Sequence, residues 1–308
     1  MLPILLKTLP FFALIGIGYG AGRSGFFSPA ATAALTKFVF YFALSAMLFR
    51  FAASLEIAEI WNGALAAAYL TGTVAIYCVA TLVGLARRLP ADETAIEAQC
   101  SVIGNVGFLG IPMLAILLGD AAVAPVIMVL SIDLIVFSSL IVIIITGSRD
   151  GRMSWSILRT IGLGLLKNPM IVAISAGLAW SALDLPIPGP VDEFLLMLGS
   201  AATPGALFAI GASLASKSAE RISVAAWLSF AKLVLHPAAV ALAALLFFPL
   251  DPFTFAVMVA CAAMPVAGNV YMLAQHYNVA PTRASASILL STVISLATLT
   301  AVIAWVSP

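Results

Sequence analysis

The sequence predicts an all-α integral membrane protein, with ten transmembrane helices in a 5+5 inverted repeat and helices 4 and 9 broken. Three observations predict it: a composition too apolar for water, loop charges that alternate along the chain, and one helix-breaking interruption inside a hydrophobic stretch of each half. Of 308 residues, 63% are hydrophobic and 9% charged, with a mean hydropathy of +1.16; soluble domains carry about 25% charged residues. The net charge of +1 and the lack of a basic cluster interleaved with aromatics give no sign of a nucleic-acid partner. Cys78, Cys100 and Cys261 lie in apolar segments without CxxC spacing and read as packing residues. Near the N-terminus no basic region leads the apolar run, and Lys7 and Pro10 interrupt it, so it reads as a retained helix rather than a signal peptide.

A spanning helix needs about 20 mostly apolar residues. The stretches that qualify are 4–22, 30–49, 60–86, 94–118 and 122–147, then 168–183, 191–215, 224–248, 253–277 and 284–306. Turn chemistry separates them, as at Ser28-Pro29, Leu89-Pro90, Gly119-Asp120 and Asp251-Pro252. Loops after odd-numbered spans carry Arg23, then Arg87 and Arg88, then Arg149, Arg152, Arg159 and Lys167, then Lys217 and Arg221, then Arg283. Loops after even-numbered spans carry Glu56, Glu59, Asp120, Asp184, Asp192, Glu193 and Asp251, with Arg50 as the basic exception. The positive-inside rule then puts the odd loops in the cytoplasm and both termini on the periplasmic or extracellular side. Five spans per half is an odd number, so the second half enters the membrane from the opposite face. The expected organisation is a first repeat at 1–150, a cytoplasmic linker at 151–167 and a second repeat at 168–308. Trp155, Ile157 and Leu158 in the joint form an apolar patch suited to the membrane surface. Lys7 and Pro10 near the start of span one find an echo in Lys167-Asn168-Pro169 before span six, and Cys100 and Cys261 each precede a break.

The breaks read Gly104, Asn105, Val106, Gly107, Phe108, Leu109, Gly110, Ile111, Pro112 and Met264, Pro265, Val266, Ala267, Gly268, Asn269. Backbone polar groups cannot face lipid, so such segments line a protected cavity or are kinks satisfied by neighbouring helices. Breaks in matching halves point to a carrier's binding site. Unwinding frees N–H groups at a half-helix N-terminus, where the dipole favours anions, and Asn105 and Asn269 add amide donors. Together they could hold a carboxylate with no fixed cationic side chain. Phe108, Leu109, Met113, Met264, Tyr271 and Met272 are candidate walls for an apolar tail.

Ionisable groups at membrane depth are functional candidates by default. Asp133 lies mid-span in span five and could take a coupling proton or Na⁺, or serve as counter-ion to a lysine. Lys37 lies within span two and Lys232 within span eight, with His236 one turn on along the same face. Asp133 with Lys232 is the preferred pair; snorkelling is the plain alternative for Lys37. Lys7 and His276 read as interfacial, and Glu93 and Glu97 as solvated at the cytoplasmic loop. The GxGxxG match at 20–25 ends a membrane helix and follows no strand, so it does not indicate a dinucleotide. Gly16, Gly18, Gly20 and Gly22, and Gly199, Ser200, Ala202, Gly205 and Gly211, instead suit close helix packing, with a homodimer interface as a second use of span seven. No HExxH, GxSxG or metal-spaced His/Cys cluster occurs, so no enzyme activity, cofactor or metal is expected.

Four segments in order, SVIGNVGFLGIP (101–112), KNPMIVAISAGL (167–178), TPGALFAIGASL (203–214) and AMPVAGNVYMLAQHY (263–277), resemble the auxin efflux carrier family, which includes the PIN-type carriers of plants and bacterial malonate-type carriers. The resemblance covers essentially the whole chain and implies an inverted-repeat fold like that of bile-acid symporters. It implies an elevator mechanism, with helices 3–5 and 8–10 moving against a scaffold of helices 1, 2, 6 and 7. It further implies that helices 4 and 9 cross at their prolines with the anion at the crossing. Carried over, the substrate-binding positions are Asn105, Val106, Gly107, Pro112, Pro265, Ala267, Gly268 and Asn269. Lys37 fits a span-two lysine that the family sets near a carboxylate, although no acid occupies span three here. The long cytoplasmic loop of many plant members is missing, so its regulation does not carry over, and auxin itself is not implied. The expected protein is a secondary transporter of small organic anions, such as malonate, malate or auxin-like acids, in a bacterial inner membrane. Two rival readings are a Na⁺-coupled symporter of the bile-acid type and, more distantly, an intramembrane enzyme or receptor. Transport direction, coupling by H⁺, Na⁺ or neither, and oligomeric state stay open.

Overall fold

The computed structural model describes residues 2–55, 61–150, 155–215 and 222–306. The chain forms α1 (Leu2–Arg23), α2 (Pro29–Ala53), α3 (Gly63–Ala86), α4 (Ala91–Val102), α5 (Val106–Leu118) and α6 (Asp120–Ser148). There follow α7 (Trp155–Lys167), α8 (Pro169–Ala182), α9 (Gly189–Ala215), α10 (Ile222–Phe247), α11 (Pro252–Ala262), α12 (Gly268–His276) and α13 (Pro281–Val306). No strand occurs among the described residues, apart from one isolated bridge. Six helices, α2, α3, α6, α9, α10 and α13, are long and apolar enough to cross a membrane. Ile161–Lys167 and α8 qualify as one further span bent by 73°, while α5 and α11 are apolar but shorter. The expected fourth and ninth spans are each divided in two, as α4 with α5 and as α11 with α12. Glu56, Glu59, Arg152, Lys217 and Arg221 lie outside the described residues, as do the side chains of Lys7, Arg149, Trp155, Ile157 and Leu158.

The turn residues start helices. Ser28 accepts from Ala31 N, Asn62 from Leu65 N, Asn168 from Met170 N and Asp251 from Thr254 N, three of these with proline in the first helical turn. Hydrogen bonds from Thr254 hold the Asp251 carboxyl below the usual carboxylate range. Its cap is therefore fully formed above the unfolded value of about 4, and is lost as pH falls through the lower folded value. Asp251→Ala should lower thermal stability by about 1 kcal/mol at neutral pH, and by less in acid.

Four spans carry a π turn, at Val39–Ala43, Val106–Gly110, Asp133–Phe137 and Ala231–Leu235. Each has a local cause. Pro112 and Pro237 follow two of them and lack the N–H an α-helix would use. In the other two, Ser45 and Ser138 hydroxyls donate to the carbonyls of Phe40 and Asp133, five residues back. π turns recur at functional sites, and here they present Asp133 and Lys232.

The helices pack as two groups. α1 lies along the second half of α9, while α2 takes α8 and the first half of α9. In the other group α3 packs on α4 and α10, α13 on α10 and α11, and α6 on α4 and α11. Small residues set the closest approaches. A side chain on Gly211 would meet the Ile15 carbonyl, and one on Gly18 the Phe208 backbone, whereas Gly16 and Gly20 face open space. Backbone cannot yield as a side-chain tip does, so Gly211→Ala should destabilise by about 3 kcal/mol, while Gly20→Ala should cost nothing in thermal unfolding. Gly199 against Met47 and Gly205 against Val39 are likewise engaged within the chain.

One outlying charge finds its partner and one charge expectation is corrected. Arg50, the basic exception to the loop pattern, forms a two-pronged ion pair with Asp192 of α9, at 2.6 and 3.2 Å. Glu97 is not solvated: it is 1% exposed. Its Oε2 takes Arg87 at 2.6 Å and its Oε1 takes Arg283 at 3.0 Å, and Arg283 also reaches Glu93 at 2.7 Å. The sequence shows basic and acidic residues near one loop but not that α13 delivers a third partner.

Candidate functional site

The two interrupted segments meet each other. Gly104 and Val266 form an antiparallel bridge, with Asn105 N donating to Pro265 O at 2.8 Å and Ala267 N to Ile103 O at 3.0 Å. Val266 N donates to Ser291 Oγ of α13 at 3.1 Å. Backbone that could not face lipid is thus satisfied by its counterpart and by one buried serine. Beyond the bridge the chain turns helical again on both sides. The Asn105 carbonyl accepts from Leu109 and Gly110, both at 3.0 Å, starting α5, and Ala267 precedes α12. The first N–H groups of a helix have no intrahelical partner, so both helices present donors beside the bridge.

Those N-termini border a cavity of about 790 Å³, lined by Asn105, Gly107, Phe108, Ala267, Gly268 and Asn269 among others. A second cavity of about 500 Å³ shares Asn105, Phe108, Gly268 and Asn269. Phe108, which lines both, stacks on Phe40, with ring centroids 6.1 Å apart. Of the positions carried over for substrate, Val106 and Pro265 are buried beside the bridge, and Pro112 faces a separate cavity of about 270 Å³ near Met47 and Arg50. Met272 lines both large cavities and Tyr271 the smaller. Leu109, Met113 and Met264 sit in the core with 0–1% exposure and form no wall. Lys37 is exposed and lines the smaller cavity; exposed Lys167 and His276 line the larger.

A second set of polar groups lies behind the bridge. Lys232 and His236 are 0% exposed and Asp133 2%. Lys232 Nζ donates to the Ala262 carbonyl at the end of α11 and lies 3.1 Å from His236 Nδ1. A cation there satisfies a carbonyl that the helix end leaves open and suits its dipole. His236 Nε2 lies 3.0 Å from Thr73 Oγ1, and Tyr69 Oη donates to Asp133 Oδ1 at 2.9 Å. His236 Nδ1 also lies 3.2 Å from the Ala262 carbonyl; it accepts from Lys232 when the ring hydrogen is on Nε2, toward Thr73, and donates to that carbonyl when the hydrogen is on Nδ1. The Tyr69 and His236 rings meet edge to face at 5.8 Å. Asp133 and Lys232, expected as a pair, make no direct ion pair; each is held by its own partners. Tyr69 and Thr73 were missed because span three carries no acid. Their signal is a tyrosine at mid-span, away from the interfacial belt where membrane tyrosines concentrate, with a hydroxyl four residues on.

The sequence profile of the membrane transport protein family matches residues 3–303. A Rhizobium meliloti (strain 1021) protein named "Putative malonate transporter" is 29% identical over 299 residues, which cover 95% of this chain and 92% of that protein. The family match takes in the bridge, both half-helices, the buried lysine and all four segments that resemble the auxin efflux carriers. The chain is therefore an integral membrane protein that belongs to the membrane transport protein family, the auxin efflux carrier-like transporters.

Proposed function

We propose that the protein is a secondary carrier of small carboxylates, with malonate the first candidate, and that it grips the carboxylate between the N-termini of α5 and α12. The observation that carries this reading is the convergence of two helix N-termini and two asparagines on one cavity of about 790 Å³. Amide N–H groups and helix dipoles are chemistry that holds an anion without a cationic side chain in direct contact. The name of the Rhizobium meliloti relative supports a dicarboxylate.

We further infer that α1 and the two divided helices complete ten spans. The α1–α9 and α8–α2 contacts exchange for one another when the two halves are swapped, and the bridge hydrogen bonds exchange likewise, which supports an inverted repeat. The packing supports α1, α2, α8 and α9 as scaffold and α3–α6 with α10–α13 as the moving unit, since both large cavities lie between these groups. The cavities reach Gly22 and Phe27 in one case and Lys167 in the other. Those are arginine- and lysine-bearing loops, cytoplasmic by the positive-inside rule, so the conformation reads as open to the cytoplasm. Moving one charge across 100 mV is worth about 2.3 kcal/mol, so the membrane potential favours outward anion movement. The test is uptake of radiolabelled malonate by proteoliposomes. Saturable uptake that other short carboxylates compete for supports the reading; no uptake or exchange of any carboxylate in a panel overturns it.

A further inference from the structure

We propose that Asp133 Oδ2 is a proton-binding site coupled to the anion at the bridge, with Tyr69, Lys232 and His236 as its positioning residues. This rests on the carboxylate-carrier reading and names the coupling ion for that site. Asp133 is 2% exposed. Its Oδ1 accepts from Tyr69, but its Oδ2 is buried with no hydrogen-bond partner among the described residues. A buried carboxylate oxygen left open carries a large desolvation penalty, and a proton on Oδ2 removes the buried negative charge, the larger part of that penalty, without moving a side chain.

The neighbourhood selects a proton over a metal cation. Facing Asp133 are the Tyr69 phenol of α3, the Lys232 ammonium of α10 with His236 one turn on, and the Cys261 thiol of α11. A hard cation takes several oxygen ligands, whereas these groups offer one phenol oxygen, a thiol, a positive charge and an imidazole. Asp133 begins one π turn and Lys232 lies within another, a backbone form that recurs at functional sites.

Coupling to the anion runs through Lys232. A side chain on Gly104 would come within 3.3 Å of Lys232 Nζ, so the ammonium lies directly behind the bridge strand that leads into Asn105. One buried cation then stands between two negative charges, the bound carboxylate in front and Asp133 behind. Anion binding engages Lys232 from the front and favours a proton on Asp133. By linkage, a proton on Asp133 favours the anion equally. The carrier then moves a proton with each anion, which offsets one unit of the charge that the anion carries across the membrane.

The experiment is titration calorimetry of the intact protein with malonate, in two buffers of different ionisation enthalpy, at a pH where malonate is fully ionised. The expected result is net uptake of a proton on binding. Asp133→Asn should still bind malonate, with proton uptake abolished. Tyr69→Phe, which keeps the ring and removes the donor to the carboxylate, should shift the pH midpoint of coupling upward, so the proposal stays testable if the asparagine variant does not fold. Malonate binding with no proton uptake, uptake unchanged in Asp133→Asn, or a midpoint unmoved in Tyr69→Phe overturns the proton site and leaves the anion site standing. Binding that instead depends on Na⁺ also overturns it. No binding of any carboxylate overturns the substrate reading, and the coupling falls with it.

Discussion

Asn269→Ala should weaken malonate binding about 10- to 100-fold, read by calorimetry or by the loss of malonate-induced thermal stabilisation. A hydrogen bond to a charged group is worth about 1.5–3 kcal/mol, and every 1.4 kcal/mol is a factor of ten. Asn269 is half-buried in the first turn of α12 and borders both large cavities. Its Oδ1 is enclosed without a hydrogen-bond partner among the described residues, so the edge of the amide left for the cavity is its NH₂, a donor. Asn105, 6% exposed and on the other side of the bridge, should give an effect of similar size. Asn269→Asp should be worse than Asn269→Ala, because a second carboxylate repels the ligand. Fold stability should change little in either single variant, since the bridge is made by backbone groups. Unchanged affinity in both alanine variants would move the anion away from the bridge.

Glu97→Ala should destabilise the protein by about 3 kcal/mol, the scale on which removal of one member of a buried ion pair acts. The glutamate ties three helices: Arg87 caps α3, Glu93 and Glu97 lie on α4, and Arg283 lies in the first turns of α13. Removing it leaves Arg283, itself 9% exposed, with Glu93 as its acidic partner. Glu97→Gln keeps the volume and part of the hydrogen bonding and should fall between. The measurement is thermal unfolding in lipid nanodiscs. Malonate affinity in the surviving folded fraction should stay near that of the wild type, because the cluster contributes no residue to either large cavity. Wild-type stability in Glu97→Ala would mean that solvent already screens the cluster.

The sequence made the membrane class, the broken helices and the asparagines legible because each rests on a local rule: apolar run length, residues that end helices, and donors placed at a helix start. It did not show the register. The two breaks occupy matching places in the halves, but only the structure pairs their residues: the bridge sets Gly104 opposite Val266, so Asn105 stands opposite Pro265 and Ile103 opposite Ala267. Pro112, read as part of the site, belongs to a neighbouring cavity, since a proline that helps break a helix need not line the space the break creates. The polar groups behind the bridge were half legible. Asp133, Lys232 and His236 stood out as ionisable groups at depth, but Tyr69, Thr73 and the Ala262 carbonyl become partners through tertiary packing alone. Glu97 was misjudged for the same reason: a charge near a loop looks solvated until its partner arrives from a distant helix.

The most direct test of the anion site is a distance. With ¹³C-carboxyl malonate bound to protein labelled with ¹⁵N at glycine and asparagine, dipolar recoupling by solid-state NMR reads carbon-to-nitrogen separations at the bridge. A carboxylate that accepts from the Gly268 and Asn269 N–H groups places its carbon about 4 Å from those nitrogens, as hydrogen-bond lengths require. Strong dephasing from both residues is the predicted result; in Asn269→Ala, with malonate saturating, the Gly268 contribution should remain and the Asn269 contribution should be lost. Saturated malonate with no dephasing from either residue would contradict the account and place the anion elsewhere in the cavities.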